Sequence, residues 1–534
     1  MKYSVVRKLV VVAAVVSLVS LAGASSLPLP MPEATASITA RDLKKHLSFL
    51  ASDELGGRYT FSSGNRIAAR YLASQLESYG YRGAARDGSF FQKVPVSSRK
   101  IDLAATTLTL GAGEGKQVFK CGDDFVSQAL RDVSVSGEMV FVGYGISSPK
   151  NKHDDYAGLD ARGKIVVVAR GEPAPLREAK LSDEEKGEAA ALNHGAAAAI
   201  FIATPLDLGE WSQIKLVVAR EQTGLPPKSA AGNALVTVVA GRPLIDALAS
   251  LMGRESTYLT GAAGKPMAPM KLSSSAELKI SVKAKANPQA QNVVGILDGV
   301  DRKSKDEYVV FSAHYDHLET GPRGEVYNGA DDDGSGTVSV LEIAHAFTVG
   351  PRPKRSILVV FHTGEELGLL GSEYNTDYEP VVPLEKLVAD FNIDMVGRSK
   401  PEGDMDARDK ELTDKDSIYI IGADKLSTEL GKLSEQTNSE TARMRFDLTY
   451  NDENHPQHFY NRSDHYNYAK HGIPVIFYFT GVHRDYHRTT DDVDKIDFEK
   501  MERIDRLIFA TGWRVANLDH RVVVDKRFAP SPLQ

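Results

Sequence analysis

The run Tyr308-Val309-Val310-Phe311-Ser312-Ala313-His314-Tyr315-Asp316-His317 joins an apolar strand to a cluster of metal-binding side-chain types. Its first part, Tyr308–Ser312, is one of five strand-like apolar runs in the second half of the chain. The others are Ile357–Phe361, Phe391–Asp394, Ile418–Ile421 and Val475–Phe479, with helical stretches between several of them. Near-continuous apolar strands separated by helices predict an α/β fold: a sheet buried on both faces, mostly parallel and sandwiched by helices. Ligands in such sheets bind beyond the carboxyl ends of the strands. The residues able to do chemistry follow those ends.

Five segments carry them. In the first, His314 is a ready metal ligand, and Asp316 is placed two residues on to orient it. The second, Gly329-Ala330-Asp331-Asp332-Asp333-Gly334-Ser335-Gly336, sets three adjacent carboxylates before an apolar helix. Their mutual repulsion and desolvation call for cations, beyond what a helix N-terminus supplies. The third, Thr363-Gly364-Glu365-Glu366-Leu367-Gly368, offers two neighbouring carboxylates pointing different ways, one for metal and one free as a base. The fourth, Asn392-Ile393-Asp394-Met395-Val396-Gly397, ends a strand on an aspartate. The fifth, Asp485-Tyr486-His487, precedes Asp491 and Asp492. Taken singly, each suits an exposed turn or a structural histidine. Together they supply two histidines and three carboxylates, with a spare glutamate, which suits two divalent ions, zinc above all. One carboxylate must be shared, because five residues otherwise leave two ions short of ligands.

A calcium loop competes for the second segment. Asp331, Asp333, Ser335, Gly336 and Glu342 match positions 1, 3, 5, 6 and 12 of that motif. The motif needs an entering helix, and Gly321, Pro322 and Gly324 make the preceding stretch a loop. A serine hydrolase is disfavoured too, since the α/β region has no G-x-S-x-G elbow.

Upstream, Asn65–Tyr79 reads as an amphipathic helix stopped by Gly80. Residues 120–275 change texture, with short strands predicted at Glu138–Val142, Ile165–Ala169, Ala198–Ile202 and Ala234–Val239. A helical segment, Asp183–His194, precedes the third. Asp154, Asp155, Tyr156 and His194 in this region form no catalytic constellation.

The chain has 534 residues and a formal charge of −7, and is 42% hydrophobic and 25% charged. That composition is ordinary for folded domains and excludes disorder, collagen or a coiled coil as the main state. Its length suggests two to four domains, on the scale of ~100–200 residues each. The acidic balance argues against nucleic acid as a partner. The single Cys121 excludes an intramolecular disulfide and a cysteine-based zinc cluster. Lys2, Arg7 and Lys8, an apolar run to Ala22, and Ala22-Gly23-Ala24 form an export signal over residues 1–24. A leader over 25–39 follows. The expected destination is the periplasm or the medium, with no membrane association after cleavage.

At these motifs the sequence resembles the M28 family of zinc aminopeptidases, over about residues 40–120 and 290–520. Ser52-Asp53-Glu54-Leu55-Gly56-Gly57-Arg58 resembles the segment before that family's first domain helix. The 120–275 region resembles the protease-associated (PA) domain that many members carry. The resemblance implies a catalytic domain from 40–119 and 286–534, interrupted by a small β-rich PA domain at 120–285. It implies two Zn2+ ions, one held by His314 and Asp394, the other by Glu366 and His487, with Asp332 bridging. Glu365 would be the general base. Asp316 would orient His314, and Tyr486 would stabilise the oxyanion. Arg462, from Arg462-Ser463-Asp464-His465, would face the substrate. Arg488 and His362 depart from the commonest family forms and leave the ligands intact. The activity implied is removal of N-terminal residues from peptide substrates. Alternatives within the family are a carboxypeptidase, a dipeptidase, a one-zinc glutaminyl cyclase, or a non-catalytic receptor-like relative. Such receptor relatives lose ligands, whereas here all are present.

Overall fold

A computed structural model of the chain describes residues 27–528, apart from 180, 227–234, 262–263, 266, 288–289 and 453–454. The export signal expected at 1–24 lies outside the described residues. Among those described, no helix is long and apolar enough to cross a membrane.

The chain builds two bodies, each on its own sheet. The first holds nine strands. Six position the site: β1 (Gln291–Leu297), β2 (Tyr308–His314), β3 (Ser356–His362), β4 (Leu387–Ile393), β5 (Ser417–Ile421) and β6 (Val475–Phe479). They lie side by side in the order β1-β3-β2-β4-β6-β5. β3, β2, β4 and β6 run parallel, while β1 and β5 close the set antiparallel. The expected sheet, mixed but parallel at its centre, is therefore the one found.

Every residue of β3, β4, β5 and β6 is buried, which is why these strands read as unbroken apolar runs. One face packs on α1 (Ala40–Leu50), α2 (Ser63–Ser78), α3 (Gly336–Ala346) and α4 (Thr428–Glu440), and on α5 (Phe498–Asn517). α3 is buried on almost all sides, so its apolar residues are spread around it rather than confined to one stripe. The opposite face is covered by a smaller cluster that includes Tyr468, Ala469 and Leu426.

The second body is an eight-stranded sheet with a three-stranded one beside it. The strand at Ala198–Ile202 lies where expected, and the others overlap their predicted runs. Two expectations change. The helix at Asp183–His194 is broken into a 3-10 turn, Asp183–Glu185, and a helix, Gly187–Asn193, because Gly187 takes a left-handed φ of 63° between them. The second body also begins earlier than residue 120. Thr107–Leu110 pairs with Met270–Ile280, and Val96–Ile101 with Val282–Asn287. Residues 96–119 thus leave the first body, and the chain crosses back just before Gln291.

Candidate metal centre

The carboxyl ends of β2, β3 and β4 converge, and the loop after β6 folds over them. His314 is the last residue of β2 and is buried. Its Nδ1 faces the main-chain carbonyl of Asp316 at 3.1 Å, which fixes the ring and turns Nε2 towards the cluster. The Asp316 carboxylate stands further off, 3.8 Å from Nδ1. It accepts instead from the Glu365 amide at 3.2 Å and the Thr60 hydroxyl at 2.9 Å. The residue orients His314 mainly through its backbone, and its carboxylate ties the Glu365 loop to β2.

The three aspartates occupy a tight turn, Ala330–Ser335, leading into α3, with a cis peptide between Asp332 and Asp333. They divide the work. Asp333 accepts from the amides of Gly336 at 2.8 Å and Met395 at 3.1 Å, and Asp331 from that of Gly397 at 2.6 Å and from His483. Both are therefore spent on structure. Asp332 alone turns into the cluster. Its Oδ1 is 3.4 Å from His314 Nε2, and its Oδ2 is 3.1 Å from His487 Nε2. Asp491 anchors the turn by accepting from the Asp331 and Asp332 amides. Residues 319–329 that enter the turn contain no helix, as the rejection of a calcium loop requires.

Around Asp332 the donors fall into two groups. Ligand atoms of His314, Asp332 and Asp394 lie within 4.8 Å of one another, as do those of His317, Asp332 and Glu366. His487 Nε2 reaches the second group at 3.2 Å from Glu366 Oε2. Glu365 stands by the first, its Oε2 3.8 Å from His314 Nε2. The structure thus gathers His314, Asp332, Glu365, Glu366, Asp394 and His487. It adds His317, which the sequence displayed in the same tetrapeptide but gave no role. Asp332 Oδ2, Asp394 Oδ1 and His487 Nε2 are buried without a hydrogen-bond partner. Orphaned carboxylate oxygens and an imidazole nitrogen, distributed over the two donor groups, fit zinc-type ligation.

The electrostatics follow from this crowding. Burial disfavours the imidazolium of His314, but the carboxylates of Glu365, Asp394 and Asp332 win and hold its pKa well above the usual value. His487 is likewise pushed to about 10, against burial, by Asp332 and Glu366. Burial lifts Glu365 well above the carboxylate range; His314 pulls it down, while Glu366, Asp394 and Asp464 add to the rise. A proton-hungry carboxylate beside the first donor group is the property a general base needs.

Backbone strain marks the loops. Met395 and His487 both take left-handed φ, 54° and 55°, where non-glycine residues are uncommon. Tyr486 stacks on His487 at 3.9 Å between ring centroids. It lines a narrow cleft with Glu365, Asp394, Arg462, Phe459, Phe477 and Phe479. Arg462 lies over the Phe459 ring at 4.5 Å. His362 is buried on the far side, its pKa lowered to about 3 by burial and by His314, and it meets the Tyr468 hydroxyl rather than the cluster. A larger cavity, about 1150 Å³, opens in the second body. Its charged rim is largely self-paired, Arg170 with Asp207 and Lys186 with Glu172, and holds no comparable convergence of ligands.

Residues 292–512 match the family model described as peptidase family M28. Over 123 residues the chain is 37% identical to aminopeptidase YwaD of Bacillus subtilis (strain 168), covering 23% of this chain and 25% of that one. Over 261 residues it is 25% identical to leucine aminopeptidase 2 of Trichophyton equinum, covering 48% and 46%. An aminopeptidase structure from Aneurinibacillus sp. strain AM-1 aligns with 93% of this chain and 99% of its own, at 20% identity and a TM-score of 0.45. The chain spans a quarter to under half the length of these two curated relatives. The matched interval carries His314, Asp332, Glu365, Glu366, Asp394 and His487 between its ends, and over it the chain is similar to peptidase family M28.

Proposed function

We propose that the protein is an exported metallo-exopeptidase, an aminopeptidase that holds two zinc ions and hydrolyses N-terminal residues from peptides. One observation carries the reading: the two oxygens of Asp332 face different histidines, His314 and His487, each backed by its own acid, Asp394 or Glu366. A carboxylate so shared is the expected bridge between two ions. His314, Asp332 and Asp394 would hold one, and Asp332, Glu366 and His487 the other. Bound there, the pair would polarise a substrate carbonyl and make a water nucleophilic near neutral pH.

The rest falls to side chains. Glu365 takes the proton of the attacking water and returns it to the leaving amine, a task its raised pKa favours. Tyr486, whose phenol burial and the Asp332 and Glu366 carboxylates keep protonated, donates to the developing oxyanion. The cleft beside Glu365, walled by Met395, Phe459, Phe477, Phe479 and Val482, receives an apolar side chain of the substrate. Arg462 at its rim faces the substrate. The inserted body, in this reading a PA domain, stands outside the chemistry.

The test is elemental analysis of the purified protein alongside hydrolysis of a panel of aminoacyl-nitroanilides. Two zincs per chain and chelator-sensitive release of apolar N-terminal residues are expected. A single zinc without release would point to cyclase-type chemistry. No zinc and no release would leave a binding scaffold.

A further inference from the structure

His317 is wholly buried, three residues past His314. Its Nδ1 stands 2.8 Å from Glu366 Oε1, and its Nε2 has no hydrogen-bond partner. Room for the ring comes from Gly329, where a Cβ would fall 2.5 Å from His317 Cδ2. The ring lies edge-on to His487, with centroids 5.8 Å apart. Glu366 is therefore held on one side only, Oε1 by His317, while Oε2 faces His487 Nε2 at 3.2 Å without a hydrogen bond.

The spacings separate two roles for these histidines. Donors on one tetrahedral zinc, bonded at about 2.0–2.1 Å, stand roughly 3.3 Å apart. His487 Nε2 meets that spacing to both Asp332 Oδ2, at 3.1 Å, and Glu366 Oε2, at 3.2 Å. His317 Nδ1 does not. It is 2.8 Å from Glu366 Oε1, a hydrogen-bond length, and 3.7 Å from Asp332 Oδ2. A carboxylate only accepts, so Nδ1 carries the proton. We infer that His317 is a positioning residue that holds Glu366 Oε1 by a hydrogen bond and so makes Glu366 a single-oxygen ligand of the second zinc position.

Without that bond the Glu366 carboxylate is free to swing, or to offer both oxygens to the ion. Either change loosens or reshapes the second position and leaves the first, His314 with Asp332 and Asp394, as it is. Hydrogen-bond partners of metal ligands are typically worth ~10–100-fold in metal affinity.

The inference rests on the two-zinc reading, and the experiment separates them. Stepwise zinc dissociation constants are measured on the full chain by competition with a chromophoric chelator, for wild type, H317A and H317N. The asparagine amide nitrogen occupies the place of Nδ1 and keeps the donor. The cobalt-substituted proteins give a visible spectrum that reports coordination number. Expected is a ~10–100-fold loss in H317A confined to one of two zinc equivalents. Its cobalt band should weaken as coordination rises, and H317N should recover both. Should H317A not fold, H317L, which fills similar space without a donor, serves as the non-donating variant. Unchanged constants in the non-donating variant, parallel loss at both equivalents, or a loss that H317N fails to recover would each overturn the role. A wild type that binds one zinc would sink the two-zinc reading alone if H317A still weakens that zinc, and both readings if it does not.

Discussion

At the scale of single residues, Glu365 is distinguished from Glu366 by what holds it. Glu366 is hydrogen-bonded by His317 and faced by His487, whereas the Glu365 carboxylate has a 3.8 Å approach to His314 and its amide is tied to Asp316. A ligand needs fixing; a base needs a proton affinity and room to move. Glu365→Gln keeps the shape and removes the basicity. Turnover should fall by ~10²–10⁴-fold with zinc content unchanged; zinc lost in proportion to activity would make Glu365 a ligand instead. Asp390 offers a different test, below the sheet surface. It is fully buried on β4, its Oδ1 beside the Ser312 hydroxyl at 2.8 Å and its Oδ2 without a partner. Burial lifts its pKa to about 8, with Ser312 opposing and Asp464 adding to the rise. An unfolded aspartate loses its proton near ~3.9. Between about pH 4 and 8 the folded state keeps a proton that the unfolded state has released. Stability therefore falls as pH rises through that window, by at most ~1.4 kcal/mol per unit. Asp390→Asn removes the penalty. The gap in melting temperature between D390N and wild type should widen from pH 5 to pH 8, and a gap indifferent to pH would show Asp390 ionised throughout.

At the scale of elements, the site is held by short loops pinned to one another, and Arg58 is the main pin. It is buried with a left-handed φ of 58°, and its guanidinium donates to the carbonyls of Leu50, Tyr315, Asn328 and Gly329. One planar fork thus ties the end of α1, the segment after β2 and the entry to the aspartate turn. A lysine cannot serve four separated acceptors. Arg58→Lys leaves at least one or two buried carbonyls bare, at ~1–3 kcal/mol each. It should lower the urea midpoint of the zinc-loaded protein and weaken zinc uptake; a midpoint within error of wild type would mean the loops are held elsewhere. Here the reach of the sequence is visible. Strands β2 to β6 were legible because they are buried on both faces, and residues following a buried strand have few other places to go. Asp332 could not be chosen from three equal aspartates by spacing, since only the turn shows Asp331 and Asp333 consumed by backbone amides. The role of His317 is not legible from spacing, because it stands in the same tetrapeptide as His314 and its partner Glu366 is 49 residues away. Asp316 stands beside His314 in the sequence, but no pattern separates a carboxylate contact from one made by the main-chain carbonyl of the same residue.

At the scale of the molecule, the site belongs to one body and the insertion to another, and the junction is narrow. Phe91–Lys93 pairs antiparallel with Gln291–Val293, and the Val94 amide donates to the Ala290 carbonyl at 3.0 Å. The two crossings are thus neighbouring rungs of a ladder that a two-residue turn could close. The early boundary is hidden because Thr107–Leu110 and Val96–Ile101 are partly exposed strands whose partners lie about 165 to 190 residues on, beyond any local pattern. Each body has its own apolar core. What joins them is a small cluster in which Leu225 of the insertion meets Val94, Ala290 and Leu370, with Leu367, Tyr374 and Tyr378 around it. Tyr378 also donates to the Pro226 carbonyl at 2.8 Å. Leu367 follows Glu366 directly and Leu370 lies four residues past it, so the insertion buttresses the loop that carries Glu365 and Glu366, the proposed base and ligand. Replacing residues 95–289 by Asn-Gly tests how much that support matters. Every proposed zinc ligand and the whole nine-stranded sheet remain, so the shortened chain should fold and take up the same zinc per chain as the full protein. Leu367 and Leu370 lose their cover, so the Glu365 loop should loosen, with catalysis reduced by more than zinc affinity. Equal losses in both would place the insertion in the folding of the metal centre itself. Full activity on small and large peptides alike would show that the loop stands without its buttress.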